Sequence, residues 1–303
     1  MIDPQGAETP TNGDWDFEEG HEIVPGRFAI SLLGASRTHD VYTAWDETIL
    51  GVVAVKLPRP GKLGDDATLR ALATEAEALQ RLSHPSFPRC FDVRLDDDPP
   101  HLVLELVEGP RLSTLIRRQQ RLGVEQVVPL VLQICSAIHY LSTQGLLHLD
   151  VKPKNVIMAP PPRLIDLSIA RSVDAARATT GPLGTDLYMA PEQCGAGGAG
   201  RIGHATDVWG LGATMYEALT GRPPFPRGDP ESSGSARFPQ LTLDPEPIPR
   251  HIPDLLAATV GGALERRPED RPTAAEIVRT LDPLAEIAPT RPMLGKLRVR
   301  SWR

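Results

Sequence analysis

Between His148 and Asn155 the chain places Asp150, Lys152 and Asn155, and sixteen residues past Asp150 comes a second acid, Asp166, flanked by Ile165 and Leu167. Two carboxylates, a lysine and an amide at these spacings suit phosphoryl transfer. That reaction asks for metal ions on phosphate oxygens, a cation against developing charge, and an acceptor hydroxyl held in line. Asp150 can accept or orient the hydroxyl proton, Lys152 can reach a transferring phosphate, and Asn155 and Asp166 offer oxygen ligands of the kind Mg2+ takes. Taken singly, Asp150 and Asn155 are ordinary turn formers, so the rest of the chain decides between the two readings.

Upstream, Gly51-Val52-Val53-Ala54-Val55-Lys56 is a short β-branched run that reads as a buried strand ending in one charge. From about residue 66 to 82, Leu69, Leu72, Ala76, Leu79 and Leu82 recur at helical spacing, and Glu75 falls on their side of the helix. A carboxylate turned toward a core needs a cation, and Lys56 is the one at hand. The alternative is that Glu75 sits at the edge of the stripe in solvent, equivalent to its neighbour Glu77.

Together these residues resemble the eukaryotic-like, bacterial-type serine/threonine protein kinases. Gly184-Thr185-Asp186-Leu187-Tyr188-Met189-Ala190-Pro191-Glu192 resembles the end of a kinase activation segment, and Asp207-Val208-Trp209-Gly210-Leu211-Gly212 resembles the start of the buried helix of the large lobe. The matches run in the family's order from about residue 26 to 284. The resemblance implies an α+β fold, a small antiparallel sheet lobe with one helix followed by a larger, mainly helical lobe. It divides the chain into an acidic flexible arm (1–24), the two lobes (25–108 and 109–285) and a basic tail (286–303).

By the same resemblance Asp150, Lys152, Lys56, Glu75 and Thr185 are catalytic, with Glu75 holding Lys56 against the ATP phosphates, and Asn155 and Asp166 bind Mg2+. ATP would lie against Leu33, Gly34, Ser36, Val41, Ala54, Leu104, Glu105, Leu106, Val107 and Ile157. Thr185 and Lys152 favour serine or threonine acceptors on protein substrates. Asp207 is read as architectural, taking backbone donors from the catalytic loop, and Arg271 as the partner of Glu192.

The sequence also departs from the family. Of the three glycines over the ATP phosphates only Gly34 remains; Ser36 and His39 stand at the other two places, so the lid is expected to be stiffer. Ser36 offers a hydroxyl and Arg37 a charge to phosphate, or both are plain turn residues. The usual Asp-Phe-Gly is Asp166-Leu167-Ser168. Leu149 replaces the arginine that grips a phosphorylated activation loop, so switching by that contact is not expected. Thr179 and Thr180 sit where bacterial kinases of this type autophosphorylate, or are ordinary loop residues.

Composition sets outer bounds. The chain has 303 residues, 41% hydrophobic and 23% charged, enough for one or two sizeable cores. Residues 1–22 hold seven acids and no Lys or Arg, which equals the formal net charge of -7; no basic surface for nucleic acid is indicated. That leader has neither the cationic start nor the apolar run of a signal peptide. The most apolar stretch, Val124 to Leu141, is broken by Glu125, Pro129 and Gln133 and reads as an amphipathic helix ending at Gly145, not a membrane span. Cys90, Cys135 and Cys194 fit no disulfide or zinc pattern and favour a reducing, cytoplasmic setting. Residues 221–253 are dense in proline and read mainly as loop. Two functions remain open: an active kinase, or a pseudokinase or weak nucleotide-binding scaffold produced by the worn lid. A small-molecule phosphotransferase fits the activation-segment motif less well.

Overall fold

The computed structural model describes residues 15–195 and 200–285, which form two compact units: residues 15–81 with 88–106, and residues 82–87 with 107–285. The first is an antiparallel sheet with one long helix. Its elements are β1 (Glu22–Val24), β2 (Arg27–Ala35), β3 (His39–Asp46), β4 (Gly51–Pro58), α1 (Asp66–Arg81), β5 (Cys90–Arg94) and β6 (His101–Glu105), with strand order β1-β2-β3-β4-β6-β5. Alternation along the strands sends Tyr42, Ala44, Val53, Val55 and Val103 into one buried cluster with Ile23 and Val24. The other face carries Val41, Ala54, Lys56 and Leu104, because Val41 is in register with Lys56 and Ala54 with Leu104.

Helix α1 starts where Asp65 caps it: the Asp65 carboxylate accepts from the Thr68 N–H at 2.9 Å and from its hydroxyl at 2.5 Å. It ends one residue before the expected Leu82, because residues 82–87 join the second unit. There Ser86 O accepts from Leu164 N at 2.7 Å and Ser86 Oγ from Gln133 Nε2 at 2.5 Å.

The acidic leader is not all arm. Trp15 and Phe17 stack at 5.1 Å and pack on the sheet cluster, the Trp15 indole donates to Pro58 O at 2.7 Å, and Tyr42 donates its hydroxyl to Trp15 O at 2.5 Å. Asp16 and Glu18 alternate with the two aromatics and stay exposed. Burying two aromatic rings outweighs the surrounding polarity, which a count of acids did not register. Residues 1–14 of the arm and the tail from 286 lie outside the described residues.

The second unit is mainly helical: α2 (Leu112–Gln119), α3 (Val124–Thr143), β7 (Leu146–Leu147), β8 (Val156–Ile157), β9 (Arg163–Leu164), β10 (Arg171–Ser172), α4 (Val173–Arg177), α5 (His204–Thr220), α6 (Gly234–Arg237), α7 (Asp254–Ala263) and α8 (Ala274–Ala285). Strand β7 pairs with β10 and β8 with β9, and these two small ribbons frame the chemistry-bearing loop. By length and hydropathy alone α3 could cross a membrane, a test that the core helix of a globular domain also passes. Its buried Val127, Val131, Ile134, Ala137, Ile138 and Leu141, and its packing on α5 and α8, are those of a core helix. Helix α5 is buried along most of its length; at Gly210 a Cβ would stand 2.9 Å from Val151 O, so only glycine lets the helix press on the loop. Residues 221–253 are largely irregular, as their proline content predicts, apart from α6 and a 3-10 turn at Pro239–Leu241.

Candidate active site

In the first unit Lys56 and Glu75 are both buried, 8% and 2% exposed, and Lys56 Nζ is ion-paired with Glu75 Oε2. Glu77 is exposed, so the choice between the two acids falls on Glu75. The sheet presents Lys56 on the same face as Val41, Ala54 and Leu104. Glu105 pairs in register with Val53, on the opposite face, and its carboxylate accepts from Arg89 N at 3.1 Å, so it offers a ligand only its backbone.

The lid between β2 and β3 is closed by Ser36. Its hydroxyl donates to His39 O at 3.0 Å and accepts from the N–H groups of His39 at 2.9 Å and Thr38 at 3.3 Å. Of the two alternatives for Ser36, its hydroxyl proton is spent inside the turn rather than aimed at phosphate. Two of the N–H groups that such a loop would aim at phosphate are spent with it.

In the second unit the loop from His148 to Asn155 hangs on Asp207. Its carboxylate accepts from His148 N at 2.8 Å and from Leu149 N at 2.7 Å, the structural part expected of it. The buried His148 ring continues the scaffold, with Nδ1 accepting from Asp150 N at 3.2 Å and Nε2 meeting Ile165 O at 3.3 Å. The first contact leaves the ring proton on Nε2 to donate to Ile165.

Four predicted residues then converge. Thr185 Oγ1 donates to Asp150 Oδ1 at 2.7 Å and accepts from Lys152 Nζ at 2.6 Å, while Lys152 Nζ reaches Asp150 Oδ2 at 2.5 Å. Asn155 Nδ2 donates to Asp150 O at 3.0 Å and to Oδ2 at 3.1 Å. Asp150 is thus held from three sides, with a lysine against it and a hydroxyl fixing its orientation. Gly184 sets Thr185 in place: its φ is +133°, and a Cβ there would stand 2.9 Å from Leu149 O.

Asn155 N donates to Lys152 O at 2.9 Å, and Asn155 O accepts from Ile165 N at 2.8 Å, which ties the residue before Asp166 to the loop. With its amide nitrogen committed to Asp150, Asn155 keeps its amide oxygen as a ligand. An amide oxygen and a neighbouring carboxylate are hard donors of the number a protein lends to Mg2+, the remainder being phosphate and water, so the residues fit that ion. Asp166 takes a left-handed backbone, φ 67°, at a cost of roughly 1–2 kcal/mol for a non-glycine residue.

Further contacts surround this set, some expected from the sequence and others without a clear signal in it. Leu149, φ 66°, is 3% exposed and packs in a cluster with Leu147 and Ala176, flanked by Ile169, Val173, Leu183 and Ile202: apolar packing stands where the family has a phosphate-binding arginine. Gln193 Nε2 donates to Leu149 O at 2.9 Å and Leu183 O at 2.6 Å, joining the loop to the activation segment. Tyr188 donates its hydroxyl to Glu217 Oε2 at 2.5 Å. Arg171 Nη1 donates to Thr179 Oγ1 at 3.1 Å, and Thr180 beside it is exposed. The Glu192–Arg271 pair does form, bidentate at 2.7 and 2.9 Å, with both side chains fully buried.

Of the other predicted nucleotide contacts, Leu33 is exposed on β2, Gly34 pairs with Val41, Leu106 and Val107 are half-buried beyond β6, and Ile157 ends β8. A family model described as "Protein kinase domain" matches residues 29–281. The chain is 31% identical over 289 residues to a probable serine/threonine-protein kinase of Corynebacterium efficiens, covering 89% of this chain and 43% of that protein. It is 32% identical over 272 residues to serine/threonine-protein kinase PkaA of Streptomyces coelicolor, covering 84% and 49%, and 30% identical over 260 residues to serine/threonine-protein kinase PknB of Mycobacterium tuberculosis, covering 81% and 41%. The chain therefore spans less than half the length of these three relatives.

Proposed function

Because this chain belongs to the protein kinase domain family, we propose that it transfers the terminal phosphoryl group of ATP to serine and threonine hydroxyls of proteins. The observation that carries the reading is the closed set of Asp150, Lys152, Thr185 and Asn155. In it Asp150 orients the acceptor hydroxyl and takes its proton, and Lys152 meets the charge that develops on the transferring group. Thr185 fixes both. The names of the relatives, serine/threonine-protein kinases, support the same acceptor class.

Lys56, braced by Glu75, would hold the ATP phosphates, and Val41, Ala54 and Leu104 offer an apolar face to the adenine. Leu33, Leu106, Val107 and Ile157 would complete the nucleotide contacts, with Gly34 beneath the phosphates. Asn155 and Asp166 are the residues that would hold Mg2+, whose part is to neutralise phosphate oxygens. Ser36, Leu149 and Ser168 alter positioning and rate, whereas each lysine, carboxylate and amide that the chemistry uses is present. Free Cys90, Cys135 and Cys194 support a reducing, cytoplasmic setting.

Of the two candidate autophosphorylation sites we assign Thr179. Its hydroxyl already touches the guanidinium of Arg171, which has no carboxylate partner among the described residues, so a phosphate there would find its cation in place. The test is incubation of the full chain with Mg2+, labelled ATP and a generic protein acceptor, followed by identification of the phosphorylated amino acids. Phosphoserine and phosphothreonine support the reading. Phosphotyrosine alone, or release of phosphate to water with no protein labelled, contradicts it.

A further inference from the structure

The loop that carries Asp150 also carries a cation with no chemical duty. Lys154 is exposed, immediately before Asn155, and its carbonyl accepts from Arg111 Nη1 at 2.8 Å. A second positive charge is thereby fastened to the same turn. Neither Lys154 nor Arg111 pairs with a carboxylate among the described residues, so both charges are open to an incoming anion. Near Thr185 the balance is similar. A cavity of about 40 Å³ is lined by Asp186, Leu187, Arg227 and Arg237. Arg237 and Asp186 cancel through a bidentate pair at 2.8 and 3.2 Å, which leaves the charge of Arg227 over.

Resting on the reading above, we propose that the protein segment phosphorylated here is acidic, with anionic side chains flanking the acceptor that are read chiefly by Arg111 and Lys154 and secondarily by Arg227. Distance supports this. Lys154 lies four positions after Asp150, at most about 14 Å of chain. An extended substrate advances about 3.3 Å per residue, so these cations fall within about four residues of the acceptor. Basic flanks would bring like charges against Lys154, Arg111 and Arg227, while the nearby Asp186 is already taken by Arg237, so the mismatch disfavours them. Carboxylates and phosphorylated side chains share the required chemistry.

The test uses the full chain with Mg2+ and ATP and four peptides built around one threonine, flanked by alanine, glutamate, phosphoserine or lysine. The expected kcat/KM is at least about tenfold higher for glutamate than for lysine flanks, narrowing as salt is raised. Phosphoserine outperforming glutamate assigns the anion as phosphate, and the reverse assigns it as carboxylate; either supports the proposal. Lys154→Glu should shift the glutamate-to-lysine ratio toward lysine by about tenfold, and Arg111→Glu should do the same. Because the Lys154 side chain makes no bond among the described residues, its variant keeps the test valid should Arg111→Glu fail to fold. A wild type indifferent to flanking charge, or an unchanged ratio in Lys154→Glu, overturns the proposal while labelling of the alanine peptide leaves the kinase reading standing. Failure to label any peptide or the chain itself would end both.

Discussion

Replacing Thr185 by valine removes one oxygen and little volume, yet that oxygen is the junction of the proposed catalytic set. It donates to Asp150 at 2.7 Å and accepts from Lys152 at 2.6 Å, both with charged partners whose side chains are 13% and 15% exposed. A hydrogen bond to a charged group is worth about 1.5–3 kcal/mol. The direct Lys152 to Asp150 contact at 2.5 Å survives the change, so we expect the lower-to-middle part of that range to appear in the barrier. About 1.5–2.3 kcal/mol corresponds to a fall in kcat of roughly 12- to 50-fold. The assay is steady-state phosphorylation of a threonine peptide at saturating Mg2+ and ATP, with thermal unfolding followed in parallel. Thr185→Ser keeps the oxygen and should retain most of the rate. A valine variant within about twofold of wild type, or a serine variant as slow as valine at equal stability, would refute the assignment of Thr185 as a positioning residue.

Three further outcomes follow from other contacts. Arg271→Met should lower stability by about 3–5 kcal/mol in denaturant unfolding, since it strands a fully buried Glu192 with, among the described residues, only the Thr206 hydroxyl; a loss below about 1 kcal/mol would show the pair to be dispensable. Ser36→Gly frees the N–H groups of Thr38 and His39, so the ATP Kd should fall by about three- to tenfold despite the added backbone freedom; an unchanged or weaker Kd would refute a lid stiffened by Ser36. His101 is fully buried, with Nδ1 on Pro99 O at 2.9 Å and Nε2 unpartnered among the described residues, and burial holds its pKa below the ordinary 6.5. The unfolded chain then takes up the proton first, so stability should decline as pH falls below about 6.5 and level off below the folded value. His101→Phe should flatten that slope, and a slope unchanged in the variant would place its origin elsewhere.

The readable parts of this chain were those where one residue's type forces another's position. A glutamate on the apolar side of a helix needs a cation, which led from Leu72 and Leu79 to Glu75 and from Glu75 to Lys56. Spacing within the 148–166 stretch and resemblance together found Asp150, Lys152, Asn155 and Thr185, whose mutual hydrogen bonds the structure supplies. Ser36 was harder, because whether a hydroxyl faces a ligand or its own turn depends on backbone dihedrals that no residue type dictates. Trp15 and Phe17 were hidden by the acids around them. Arg171 meets Thr179 only because α4, a five-residue helix with little periodicity, folds the chain back between them. Arg111 and Lys154 lie 43 positions apart in sequence, and only the fold makes them neighbours.

The most direct measurement compares transfer of label from ATP by the wild-type chain, by Asp150→Ala and by Lys56→Met under identical conditions with Mg2+. The account predicts labelled serine or threonine in the wild type and a loss of at least about 100-fold in both variants, whose removed groups serve the acceptor and the nucleotide respectively. Equal labelling by all three folded proteins, or none by any of them, would contradict it.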